Sequence, residues 1–481
     1  MTLDPSHCYE VVKARDARFD GAFFVGVSTT GVYCRPVCTV RTPGRDRCSF
    51  FTNAASAEAA GFRPCLRCRP ELAPGSSAPV DAVKRVANLA VARIEAGALG
   101  ELSVESLASE LGVGVRQLHR VIEAEYGVGP LALAQTRRLL LAKQLLTDTS
   151  LKVVDVAFAS GFSSVRQFNR QFRQSYRLSP LSLRQRQSAK VSPHIVLKLG
   201  FRPPLAWRPL VQFLAGRAGT RTEKVDGDRY LRSVRLGKHR GFILAQPLGP
   251  SLLGVEVAPS LLPVLPELRV RLRRLFDLEA NPSVIDGFLS RHRDLGRYLR
   301  RTAGLRVPGA WSGFELALRA VLGQQISVKA ATTIFGRFVD TFGSAVDTPD
   351  EAVNRVAPEA SDLADATLQQ IIDRGVTAKR AESVLALARA VADGKLKLDP
   401  PVDVARMREA LCELPGIGPW TAEYVAMRAL GDPDAFPHSD LGLLRALELD
   451  KPAALRTLAE AWRPWRAYAA LHLWHGYAAG G

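Results

Sequence analysis

Between residues 81 and about 187 apolar positions recur at three- and four-residue spacing, broken at Gly112, Gly127 and Gly161, which predicts several short helices in succession. The stretch "LSVESLASELGVGVRQLHRVIEAEYG" (102–127) reads as a helix with Leu107, Ala108 and Leu111 inward, a turn at Gly112, and a second helix with Val115, Leu118 and Val121 inward. "LKVVDVAFASGFSSVRQFNRQFRQSY" (151–176) repeats the plan, with Val156 and Ala157 before Gly161 and Phe168 and Phe172 after it. From "KVSPHIVLKLGFRPPLAW" (190–207) to "DRYLRSVRLGKHRGFILAQPL" (228–248) the period shortens to that of strands, and after about Asn281 the helical period returns. "ELAPGSSAPV" (71–80) has no apolar period and reads as a linker. The pattern predicts a multidomain chain: a small α/β domain (1–75), an all-α domain (76–190), an α+β subdomain (193–305) and a second all-α domain (306–481).

Composition narrows the partners. The 65 Lys+Arg against 47 Asp+Glu give a net charge of +18, which favours a polyanion and puts nucleic acid first. Within residues 1–190, the segment 151–190 alone holds eight basic side chains and one acidic, which makes it the part expected to meet DNA through a helix. No apolar run approaches the roughly 18 to 20 residues of a membrane span, and the N-terminus lacks the apolar core of a signal peptide. A cytoplasmic, nucleoid-associated protein without a membrane partner is expected.

Three groups of residues carry chemistry. Cys34-x3-Cys38 and Cys65-x2-Cys68 offer four thiolates at spacings suited to one tetrahedral Zn²⁺, and a domain of about seventy residues has too small a core to dispense with such a staple. Arg35, Arg41, Arg45, Arg47, Arg63, Arg67 and Arg69 surround them, so a phosphate backbone is expected nearby; Cys8 and Cys48 read as ordinary thiols. The two helix–turn–helix patterns expose Arg116, Gln117, His119 and Arg120 on the first unit, and Ser164, Arg166, Gln167, Asn169 and Arg170 on the second, as DNA-contacting residues. In "LCELPGIGPWTAEYVAMRALGDPDAFPHSDLGL" (411–443) Gly416 and Gly418 form a tight turn between helices, where backbone N–H groups can meet a phosphate. Asp440 opens the next helix, a place where an acid usually serves only as a cap.

Resemblances sharpen these readings. "GVYCRPVC" with "GFRPCLRC" resembles the methyl-acceptor domain of the bacterial Ada adaptive-response family, and the tandem helix–turn–helix units resemble the DNA-binding domain of AraC-type regulators. The hairpin, "LRVPGAWSGFELALRAVLGQQISVKAAT" (305–332), "RLFDLEANPSVIDG" and "RPWRAYAALHLW" (463–474) resemble 3-methyladenine DNA glycosylase II of the helix-hairpin-helix superfamily, over about residues 193–478. The resemblance implies that Cys34 accepts a methyl group from a DNA phosphotriester, and that Asp440 stabilises the sugar cation and directs water during cleavage of an N-glycosidic bond. It also implies a flipped-base pocket made by Trp420, Tyr424 and Trp474, with Gly416, Gly418 and Thr421 holding DNA. Trp420 stands where lyase-active members carry lysine, so a monofunctional glycosylase is expected. Gln325 stands where the best-known bacterial form has a leucine wedge, and no iron–sulfur motif follows the hairpin.

The combined reading is a fused alkylation-damage protein that excises alkylated bases, accepts methyl groups and regulates transcription. Its implied partners are double-stranded DNA carrying alkylation damage, promoter DNA and RNA polymerase. Methylation would take a Zn(Cys)₄ site from −2 to −1 and lessen its repulsion from phosphates. A regulator with an inactive glycosylase half, and a glycosylase with a mere targeting module, are the alternatives.

Overall fold

The computed structural model describes residues 3–75, 85–100, 102–185, 195–400 and 402–480. The chain forms two compact units, Met1–Pro203 with Ser251–Val270, and Pro204–Pro250 with Arg271–Gly481. The multidomain mixture of helix and sheet expected from the pattern is present.

The first unit opens with a helix, Pro5–Ala14, capped by Asp4, and a four-stranded sheet. Strands Phe24–Val27 and Val32–Cys34 form an antiparallel hairpin; Cys48–Phe51 pairs antiparallel with the first strand, and Arg63–Pro64 pairs parallel with the second. The 3₁₀ turn Pro70–Leu72 follows. Here the linker reading is corrected: Glu71 is buried in an ion-pair network and Leu72 lies in the core, because their partners sit far along the chain and leave no local period. The rest of the expected linker, 76–80, and the basic residues Arg186 and Lys190 lie outside the described residues.

Each helix–turn–helix unit forms as patterned. Val104–Glu110 is capped by Ser103 and leads through Gly112, at φ +68°, into Val115–Tyr126. Val153–Ala159 leads through Gly161, at φ +88°, into Val165–Tyr176, capped by Ser164. A Cβ is disfavoured in that left-handed region, which is why glycine occupies both turns. Leu107 and Leu118 are fully buried as expected; Val121 packs half-buried against the same core, and Ile122, four residues after Leu118, is fully buried beside it. Phe168, Phe172 and Tyr176 form an edge-to-face ladder, with centroids 5.4 and 4.5 Å apart. Between the two units runs the helix Pro130–Asp148, buried on almost every side, against which elements of both units and of the cysteine domain pack. Strands Ile195–Gly200 and Leu252–Val257 pair antiparallel in the same unit.

The second unit begins with the helix Trp207–Ala215 and an antiparallel meander, Glu223–Asp226, Arg229–Leu236 and His239–Gly249. Its helical body is centred on Gly313–Leu322, in which every residue but Arg319 is buried. Val328–Phe342, Ala378–Ala392 and Pro419–Arg428 pack around that helix, and Leu441–Ala446 packs on Arg466–Gly480. Among the described residues no helix is long and apolar enough to cross a membrane.

Candidate functional site

Strand pairing assembles the cysteines. The parallel register sets Val32 opposite Arg63 and Tyr33 opposite Pro64, and Cys65 N donates to Tyr33 O at 3.0 Å, so both cysteine pairs leave the sheet side by side. The Sγ atoms of Cys34, Cys38, Cys65 and Cys68 all lie within 4.8 Å of one another. A tetrahedron of Zn–S bonds of about 2.3 Å has S···S edges of about 3.8 Å, so the set fits one zinc ion with small adjustment. Cys8, buried nearby, and Cys48, whose thiol donates to Gly44 O at 3.4 Å, stand outside the cluster.

The arginines around it divide into two kinds. Arg35 turns inward: it pairs with Asp20, donates to Cys68 O at 3.2 Å, and its backbone N–H donates to Cys68 Sγ at 3.4 Å. Arg69 is also internal, pairing with Glu71 at 2.9 Å and Asp148 at 2.7 Å. Arg41, Arg45, Arg47 and Arg67 stay exposed, and these can meet a phosphate. One cation was missed by sequence reading. Lys143 of the central helix donates to Cys65 O at 3.2 Å and pairs with Glu71 at 2.5 Å, both side chains at most 1% exposed. The available signal was the polar pair Lys143-Gln144 inside the apolar run "LLLAKQLL". Glu58, on the short helix Ala54–Ala59, packs against the same central helix, accepting from Tyr33 Oη at 3.0 Å and Thr136 Oγ1 at 2.8 Å; burial pushes its carboxyl up to about 7.

On the helix–turn–helix units Arg116, Gln117 and Arg120 are exposed on one second helix, and Arg166 and Arg170 on the other, with Gln167 half-buried. Ser164 serves as a cap, its Oγ accepting from Gln167 N at 3.5 Å.

The second unit contains a cavity of about 410 Å³. Trp420, Tyr424, Asp440 and Trp474 all line it, although they come from three helices. Asp440 is the N-cap of Leu441–Ala446, accepting from Leu443 N at 3.0 Å, and it also accepts from Trp474 Nε1 at 2.8 Å and Trp420 Nε1 at 2.9 Å. The cap role and the cavity role therefore coexist in one carboxylate. Trp420 stacks on Tyr424 with centroids 5.4 Å apart and planes within 5°, while Trp474 meets Tyr424 edge-on.

Further polar groups line the cavity that sequence reading did not find. Glu223, Arg232, Glu315 and Arg319 form a buried ion-pair network, with Tyr230 Oη donating to Glu223 at 2.7 Å. Arg428 donates to Pro308 O, Gly309 O and, at 2.8 Å, to Tyr424 Oη. Burial raises the Tyr424 phenol, but the guanidiniums of Arg428, Arg217 and Arg319 outweigh it and hold its pKa below the ordinary value. Arg428 was legible only as an i+4 neighbour of Tyr424; the others had no signal near the motif.

The hairpin turn depends on Gly416, at φ +75°, where a Cβ would lie 2.2 Å from Ser383 Oγ; a Cβ at Gly418 would meet open space. Gln325 is exposed, with φ +58°, at the tip between Gly313–Leu322 and Val328–Phe342. Its neighbour Gln324 fastens that tip to the hairpin, donating to Gly416 O at 2.9 Å and Thr421 Oγ1 at 3.3 Å, while Arg380 donates to Gln324 O at 2.6 Å. Thr421, expected at the DNA surface, is 2% exposed and makes this internal link instead.

Four family descriptions match the chain in order: metal binding domain of Ada over 7–71, helix-turn-helix domain over 107–186, AlkA N-terminal domain over 196–312, and HhH-GPD superfamily base excision DNA repair protein over 318–465. The probable bifunctional transcriptional activator/DNA repair enzyme AlkA of Mycobacterium tuberculosis is 41% identical over 98% of this chain and 97% of its own length. DNA-3-methyladenine glycosylase 2 of Escherichia coli is 36% identical over 58% of this chain and 96% of its own. Among solved structures, a 3-methyladenine DNA-glycosylase from Archaeoglobus fulgidus aligns with TM-score 0.51 at 21% identity, covering 59% of this chain and 98% of that one, a likeness of fold alone. With its four matched regions in this order and a relative alike along nearly its whole length, the chain belongs to the family of AlkA-type bifunctional transcriptional activator/DNA repair enzymes.

Proposed function

We propose that this protein excises alkylated bases of the 3-methyladenine type from double-stranded DNA, accepts methyl groups from DNA phosphotriesters on Cys34, and regulates transcription. The observation that carries the excision reading is Asp440, a carboxylate held by two indole N–H groups and a helix N-terminus at the wall of an aromatic cavity. A base rotated out of the duplex enters the cavity against Trp420, Tyr424 and Trp474. As the N-glycosidic bond breaks, its electron pair leaves with the base, and the positive charge developing on the sugar faces Asp440, which also directs the attacking water. The hydrogen bonds on both carboxylate oxygens fix that orientation. Gln325 fills the gap left in the stack, and the Gly416–Gly418 turn grips the backbone. Trp420 cannot form a Schiff base, which supports a monofunctional glycosylase.

In the first unit Cys34, Cys38, Cys65 and Cys68 hold zinc, which keeps the thiols ionised at neutral pH. The Cys34 sulfur attacks the methyl carbon of a methylphosphotriester; the C–O bond breaks, a phosphodiester anion leaves, and the sulfur becomes a neutral thioether. One negative charge facing DNA is lost. The helix–turn–helix units then hold promoter DNA more tightly through Arg116, Gln117, Arg120, Arg166, Gln167 and Arg170, with RNA polymerase as the downstream partner.

The test is release of free base from methylated DNA. Wild type releases it and Asp440→Asn is slower by a factor of roughly 10² to 10³. Equal release by both proteins removes Asp440 from the mechanism.

A further inference from the structure

The cavity holds four guanidiniums, and three of them are answered. Arg232 and Arg319 are matched by Glu223 and Glu315, and Arg428 is matched by two carbonyls and the Tyr424 phenol. The fourth, Arg217, is half-buried on the helix-end segment after Trp207–Ala215, lines the cavity, and forms no ion pair among the described residues. Its guanidinium lies 3.8 Å over the Phe213 ring and reaches only Phe213 O, at 3.4 Å, and the Tyr424 hydroxyl that Arg428 already serves. A guanidinium carries five N–H donors, so Arg217 keeps donors that its described neighbours leave open and that a cavity occupant can take up in place of water.

We infer that Arg217 reads the edge of the extruded base, favouring purines with a carbonyl there, the 6-oxo class exemplified by 7-methylguanine, over purines with an amino group, exemplified by 3-methyladenine. The inference rests on the excision reading above and names a preference within it. A carbonyl accepts the spare N–H groups; an exocyclic amine sets donor against donor in a partly desolvated site. The positive charge of the alkylated ring does not decide between the two classes, because both of these bases carry it and both feel the same repulsion from Arg217. The Phe213 ring holds the guanidinium plane in place, so the donor is oriented before the base arrives.

Methylated DNA contains both bases, and chromatography of what the full-length protein releases gives their rates in one reaction. In Arg217→Met the rate ratio of 7-methylguanine to 3-methyladenine falls about tenfold relative to wild type, as expected for one lost charged hydrogen bond. Arg217→Gln, which keeps an amide donor without charge, shows a smaller fall and carries the same readout if the Met variant does not fold. An unchanged ratio, or equal slowing of both bases, overturns the inference while leaving excision intact. Release of neither base by wild type overturns it together with the excision reading.

Discussion

The thiolate cluster and the aromatic cavity both depend on buried charge, but they are stabilised in different ways. In the cluster, the ligands come from one short sheet, the surrounding core is small, and an ion-pair network beside it, Arg69 and Lys143 with Glu71 and Asp148, ties it to a distant helix. In the cavity, charge is neutralised by a four-member network embedded in a large helical core, with no metal ligands required. Both regions neutralise charge by mutual pairing; the difference is that the small core also leans on a metal, whereas the large one needs only its own packing around the charged groups.

Zinc removal tests the contrast most strongly. Chelation removes a contribution on the order of 10 kcal/mol from the cysteine domain, so that its folded signal is lost at ordinary temperature while base release by the second unit persists. Parallel measurement of methyl acceptance and base release checks this, and loss of both together contradicts it. Next in size is Lys143→Met, which leaves Glu71 with Arg69 as its only cation and withdraws the donor from Cys65 O; about 3 kcal/mol of stability is lost from the first unit. Denaturant titration should show the double change Lys143→Met with Glu71→Gln recovering much of that loss.

The smallest effect concerns pH. Glu58 has its folded pKa raised to about 7 from an ordinary carboxyl value, so the folded state holds a proton that the unfolded chain has released. This proton favours the folded state fully below the unfolded pKa of about 4.5, and its contribution is lost as pH rises through 7. Each pH step of one between those two values changes the balance by about 1.4 kcal/mol. Glu58→Gln therefore gains up to roughly 3 kcal/mol on wild type at pH 8 and nothing at pH 4.5. A pH-independent difference between the two proteins in denaturant midpoints refutes the assignment to Glu58.

What was legible was local. The cysteine spacing, the two glycine turns, the phenylalanine ladder from Phe168 to Tyr176 and the hairpin at Gly416 each declare themselves within about thirty residues, because ligand spacing, helical period and positive φ are short-range constraints. Asp440, Trp420, Tyr424 and Trp474 were found through family resemblance, and their common cavity appears only in three dimensions. Glu71 shows how composition misleads: a polar residue in a Pro/Gly/Ser/Ala stretch reads as solvated until its partner, 72 residues away, is placed beside it.

The sequence by itself determined the order of the parts, the four clustered cysteines and the two helix–turn–helix units, since each rests on spacing along the chain, while the candidate acid came from resemblance. Only the tertiary structure decided which charges are answered and which are spare. It paired Lys143 with Glu71, matched Arg232 and Arg319 with Glu223 and Glu315, turned Arg35 inward, and left Arg217 facing the cavity. Electrostatic pairing acts over a few ångströms of space and is indifferent to separation along the chain, so no local pattern encodes it.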